Sequence, residues 1–173
     1  MNKLLQQLAE FNLHMQAAGA RYALIGGLAL SVHQVQRATL DIDFIMAQSD
    51  ANLADLTLKE LGYHCIHRST DAANYRRGNE AVDFIYAFRS RALALLAQAQ
   101  IHKIGSELIP VVSVEGLIGL KLQAMTNDPS RKQDPVDIEK LFEKHRENLD
   151  LEALKDYFQL FNKDDFYAEL IGS

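Results

Sequence analysis

Leu4, Leu5, Leu8, Phe11 and Met15 return at steps of three and four residues, and Gly19 follows where a C-terminal cap would sit, so the spacing predicts a helix over 3–18. The rhythm then shortens. "RYALI" reads as a buried strand, Gly26-Gly27 as a turn, "LALSVHQV" as a short helix and "DIDFIM" as a second strand. "DANLADLTLKELG" has the pattern of a further helix, with Ser49 or Asp50 as N-cap and Gly62 past its end, and "YHCIH" that of a strand. The polar stretch "RSTDAANYRRGNE" reads as a connection into the alternating strand "AVDFIYAF". A helix from about Ser90 to Gln100, strands in "IHKI" and "LIPVV", a helical "VEGLIGLKLQAM" and two helices near 135–145 and 151–162 complete the pattern. "TNDPSRKQDP" (126–135) reads as a mobile loop.

Strands mixed with helices and followed by helices alone make an α/β chain, with a core over 1–110 that includes the N-terminal helix and a mostly helical C-terminal region over 111–173. The length of 173 residues, 48% hydrophobic and 24% charged, suits one domain with a small appendage and argues against disorder. A net charge of −5 excludes a broad basic surface, so any phosphate contact must come from a local cluster. The single cysteine, Cys65, makes no internal disulfide, the N-terminus has no unbroken apolar core, and no apolar run approaches the roughly 20 residues of a membrane span. A cytoplasmic protein is the expectation.

Asp41 and Asp43 change the picture, because acids are depleted in strands and alternate strand residues share a face. The two carboxylates project the same way about 7 Å apart at the Cα level, while Ile42, Phe44 and Met46 face the core. Unpaired, they would repel each other; a divalent cation relieves this, and oxygen ligands of this kind suit Mg²⁺ or Mn²⁺. Asp83 is a further acid inside an apolar strand and completes a candidate site if the strands are neighbours. Such a carboxylate set is suited to two ions and to nucleotidyl or phosphoryl transfer. Gly26 and Gly27, lacking Cβ, would let the backbone approach a triphosphate ahead of a helix N-terminus.

Gly-Gly, a spacer, Asp-x-Asp and a later strand acid together resemble the signature of the nucleotidyltransferase-fold superfamily, whose core is that of polymerase beta. The strings "IGGLALSVHQVQRATLDIDF", "GLIGLKLQAM" and "RKQDPVDIEKLF" are similar to the branch that contains AbiEii-type toxins of type IV toxin–antitoxin systems. The resemblance implies a mixed sheet flanked by helices, transfer of NMP from an NTP with Mg²⁺ or Mn²⁺, and Asp41, Asp43 and Asp83 as the metal-binding acids. It also implies that Lys121 and Asp134 or Asp137 serve the nucleotide. The acceptor is RNA such as tRNA, a protein or a small molecule, and a cognate antitoxin is an implied partner.

Simpler roles stand beside these. Arg37 and Thr39 either reach phosphate or lie in a solvated loop; Lys121 either contacts phosphate or snorkels past Leu117, Leu120 and Leu122. Asp134 before Pro135 reads as an N-cap with proline at the first helical position, and Asp137 suits the positive end of the same helix. His64 and His67, three apart in a strand, point to opposite faces and with Cys65 make no zinc site. Arg68, Arg76 and Arg77 form a basic loop that either meets RNA or is solvated. The leading expectation is an enzyme; the alternative is a catalytically silent nucleotide-binding or regulatory module of the same fold.

Overall fold

The computed structural model describes residues 2–173. The chain forms two compact units, one reaching to Val32 and resuming from Arg37 to Val112, the other made of His33–Gln36 and Ser113–Ser173. In chain order the first unit holds α1 (Lys3–Ala17), β1 (Tyr22–Ile25), α2 (Gly26–Val32), β2 (Asp41–Ala47), α3 (Ala51–Glu60), β3 (His64–Arg68), β4 (Ala72–Arg77), β5 (Glu80–Ala87), α4 (Ser90–Ala97), β6 (Gln100–Ile104) and β7 (Glu107–Val111). Its seven strands form one mixed sheet in the order β3-β4-β5-β2-β1-β7-β6. The β2/β5 and β1/β7 neighbours are parallel and the rest antiparallel.

Asn2 caps α1 by accepting from Leu4 N at 3.0 Å, and Gly19 follows its end at φ +71°. The apolar stripe of α1 meets one face of the sheet: Phe11 stacks on Phe44 at 4.2 Å and meets Tyr22 edge-on at 5.5 Å. Ile42, Phe44 and Met46 lie wholly buried on this face of β2. The other face of β2 is left to Asp41, Asp43 and Ile45.

The stretch read as a polar connection contains β4, which pairs along its length with β5 through a tight turn at Gly78-Asn79, Gly78 having φ +57°. Its pattern is a strand's, with Ala73 and Tyr75 buried and Asn74 and Arg76 on the alternate face. Gly26 and Gly27 do not form a separate turn: they open α2, with Gly26 at φ +65°. Asp50 precedes α3 without capping it, because its carboxylate accepts instead from Arg21 N at 2.9 Å and Arg21 Nε at 3.1 Å.

The second unit holds α5 (Val114–Asn127), α6 (Gln133–His145), α7 (Leu151–Leu160) and α8 (Asp164–Gly172). Ser113 caps α5 and Asp150 caps α7. Leu117, Ile118, Leu122, Ile138, Leu141, Phe142, Leu154 and Phe158 are its buried apolar residues. A Cβ on Gly119 would lie 2.6 Å from the Tyr157 ring, so α5 needs glycine where it faces α7. The connection between α5 and α6 spans only residues 128–132 and is held as a turn, Asp128 accepting from Ser130 N and Oγ. The final helix, α8, was not expected; Asn162 at φ 54° ends α7, and Phe166 and Tyr167 pack on Phe158. His145 Nε2 donates to the His33 carbonyl at 2.8 Å within this unit. No helix among the described residues is long and apolar enough to cross a membrane.

Candidate active site

The register of β2 and β5 sets Asp43 directly opposite Asp83 and Asp41 opposite Ala81. Adjacent strands lie about 4.8 Å apart, so the three acids occupy one small area of one sheet face. Each is half-buried, between a core that fixes the strands and open solvent. The strand order brings Asp83 to the first pair, although some forty residues separate them in sequence.

β4 adds a cation. Arg76 sits on the same face, two positions along from the residue opposite Asp83, which is Asn74. Its Nη1 donates to Asp83 Oδ1 at 2.5 Å and its Nη2 to Asp83 Oδ2 at 3.4 Å. The hydrogen bond to Asp83 raises the Arg76 pKa above its ordinary value, burial opposes it, and the charges of Asp83, Asp41 and Asp43 add to the rise. Among the described residues no group of three His, Cys, Asp or Glu side chains converges as a ready metal cage. Arg76 thus sets a positive charge against Asp83.

Both glycines are required by contacts inside the protein. A Cβ on Gly26 would come 2.7 Å from Asp43 Cγ, and one on Gly27 would come 2.7 Å from Thr39 Cβ. Glycine at 26 therefore lets the backbone lie against the Asp43 carboxylate, and its positive φ independently favours a residue without Cβ. Thr39 packs on Gly27 and its Oγ1 donates to the Asp41 carbonyl at 3.0 Å, so it orients the start of β2. Arg37 is exposed on the segment leading into β2.

Lys121, Asp134 and Asp137 form a cluster of their own in the second unit. Lys121 Nζ donates to Asp134 Oδ1 at 2.9 Å and to Asp137 Oδ2 at 2.8 Å. Arg131 bonds the other oxygen of Asp134, and Gln133 Nε2 donates to Asp137 Oδ1 at 3.0 Å. Burial raises the Asp134 pKa, but the bonds from Arg131 and Lys121 outweigh it and hold the carboxyl below its ordinary value. Asp134 is not the N-cap, because α6 begins one residue earlier at Gln133 and the half-buried Lys121 claims the carboxylate. Nor does Lys121 snorkel to solvent, since its ammonium ends between two buried acids.

The three arginines read as a basic loop lie on strands and are all paired: Arg68 with Asp55, Arg76 with Asp83, Arg77 with Glu10 and Glu80. Arg76 was thus identified as a cation but not as a neighbour of Asp83; the alternation of "AANYRR" before Gly-Asn was the available signal. His64, Cys65 and His67 are exposed on the edge strand β3.

The antibiotic-resistance factor ANT(2'')-Ia, solved in solution, matches over 98% of this chain and 96% of its own with a TM-score of 0.72 at 15% identity. Its crystal structure with adenylyl-2''-tobramycin matches over 99% and 98% with a TM-score of 0.63 at 15% identity. The lincosamide antibiotic adenylyltransferase LnuA, lincomycin-bound, matches over 82% and 96% with a TM-score of 0.55 at 16% identity. No protein-family model and no curated protein matches the sequence. The structural likeness establishes the fold: a mixed α/β nucleotidyltransferase-type sheet with a helical C-terminal region.

Proposed function

We propose that this chain is a nucleotidyltransferase that uses Mg²⁺ or Mn²⁺ to move NMP from an NTP to an acceptor hydroxyl, with Asp41, Asp43 and Asp83 as its acidic centre. The observation that carries this reading is the β2/β5 register, which sets Asp43 against Asp83 with Asp41 on the same face. The donor set of Asp41, Asp43 and Asp83 is all carboxylate oxygen, which fits a hard divalent cation. A bound metal pair supplies charge stabilisation for the attacking and leaving oxygens of an in-line displacement. Asp41, Asp43 and Asp83 would hold the metal beside the triphosphate, and Asp83 would also take the proton of the acceptor hydroxyl on a carboxylate oxygen as pyrophosphate leaves. Gly26 and Gly27 keep side chains out of the space beside Asp43, and Arg37 is the exposed cation assigned to phosphate. Thr39 acts through Asp41 as a positioning residue. Lys121 and Asp137 are assigned to the stability of the second unit rather than to nucleotide contact, since they are bonded to one another.

A small hydroxyl-bearing acceptor is favoured over RNA. Support comes from the pairing of Arg68, Arg76 and Arg77 with acids, the net charge of −5, and matched structures that carry adenylyl-tobramycin or lincomycin. The AbiEii-like strings support a further role as the toxin of a type IV pair, which growth arrest on expression tests. The Arg76–Asp83 pair favours a second reading, a silent nucleotide-binding module. Incubation with each NTP, Mn²⁺ and panels of aminoglycosides, lincosamides and RNAs, followed by mass analysis, separates the two. An acceptor heavier by one NMP supports the enzyme; nucleotide affinity with no mass added on any acceptor supports the module.

A further inference from the structure

Arg76 occupies both oxygens of the carboxylate that a metal would need. Its fork takes Asp83 Oδ1 and Oδ2, and Nη1 also donates to the Tyr75 carbonyl at 2.8 Å, which ties the guanidinium to its own strand. The pair is not deeply buried, the side chains of Arg76 and Asp83 being 34% and 22% exposed, so a hydrated ion has access to it. Arg77 points the other way, to Glu10 and Glu80, and Arg68 to Asp55, so of these three only Arg76 draws its partner from the acidic centre. The protein thus carries its own counterion where three carboxylates would otherwise repel one another.

Resting on the nucleotidyltransferase reading of this site, we propose that Arg76 is a displaceable counterion that competes with divalent metal for Asp83. In the metal-free protein Arg76 neutralises the carboxylate; metal binding requires the Arg76–Asp83 fork to open, and the centre therefore binds metal more weakly than its three acids alone would. Arg76 is a positioning residue in this scheme, acting through Asp83. The charge-assisted two-bond fork sets the size of the effect: its loss should tighten metal binding by about tenfold or more.

Mn²⁺ binding to the full chain, followed by the loss of the free-ion electron paramagnetic resonance signal, tests this with no nucleotide and no turnover. Arg76→Gln is expected to bind Mn²⁺ about tenfold tighter than the parent, and Asp41→Asn to abolish binding in either background. Arg76→Lys keeps the charge but not the fork and should tighten binding by about threefold; it decides the matter alone if Arg76→Gln does not fold. Asp41-dependent Mn²⁺ binding that Arg76 variants leave unchanged or weaken would overturn the counterion role and leave the metal site standing. Mn²⁺ binding that is absent, or indifferent to Asp41, in both parent and variants would instead overturn the metal reading itself.

Discussion

Replacing Lys121 with Met keeps an unbranched chain of similar length on α5 and removes the ammonium from between Asp134 and Asp137. The lysine side chain is 14% exposed and the two acids 5% and 2%, so water cannot replace what is lost. Stranding a buried charge in this way costs about 3–5 kcal/mol, and the low end applies because Arg131 and Gln133 keep one bond to each acid. For a chain of this size, about 3 kcal/mol lowers the melting temperature by roughly 6–12 °C at pH 7. The sign of the pH dependence follows from Asp134. Its folded pKa lies below the unfolded value of about 3.9, so the parent gains stability above that pH and loses it as pH falls through the folded pKa. In the variant the depression is smaller, so the gap between the two melts should be widest near neutrality and begin to narrow as pH falls below about 4. Calorimetric melts from pH 3 to 8 measure it. A gap under about 1 kcal/mol at pH 7, or one independent of pH, would refute the buried-network account. If NTP affinity fell while the melt stayed unchanged, Lys121 would belong to the nucleotide instead.

Gly26→Ala should cost about 2–4 kcal/mol, from the positive φ and from the overlap with Asp43, and should also weaken Mn²⁺ binding; parallel melts and titrations check it. Thr39→Val, which keeps the contact with Gly27 but loses the bond to the Asp41 carbonyl, should cost about 1 kcal/mol in a urea melt and lower turnover more than NTP affinity. Gly119→Ala should destabilise the second unit by about 1–3 kcal/mol, read as loss of hydrogen-exchange protection in α5 and α7, since Tyr157 must move. Phe11→Ala should cost about 3–5 kcal/mol by emptying the stack on Phe44, measured by urea denaturation.

The placement of Asp41 and Asp43 was legible because Ile42, Phe44 and Met46 are held to the core by one face of β2, which puts both acids on the other. Their meeting with Asp83 followed only from strand order, a long-range choice that local periodicity does not encode. β4 was hidden by composition: Asn74, Arg76 and Arg77 read as solvent-exposed loop, yet Ala73 and Tyr75 alone are enough to seat the strand once β5 offers a partner. Asp134 before Pro135 carried a strong capping signal, and the tertiary demand of Lys121 overrode it. α8 escaped because its apolar residues follow a run of charges, and Phe166 and Tyr167 are seated by packing on Phe158 of α7, a tertiary contact that local periodicity does not encode.

Isothermal calorimetry of ATP binding in Mn²⁺ and in EDTA, on the parent and on Asp41→Asn/Asp43→Asn, tests the acidic centre most directly. The clustered carboxylates repel a triphosphate until a cation intervenes, so the predicted result is binding by the parent in Mn²⁺ alone and none by the double variant in either condition. Equal ATP affinity in Mn²⁺ and EDTA, or undiminished binding by the double variant in Mn²⁺, would contradict the assignment of these aspartates to a metal-dependent nucleotide site.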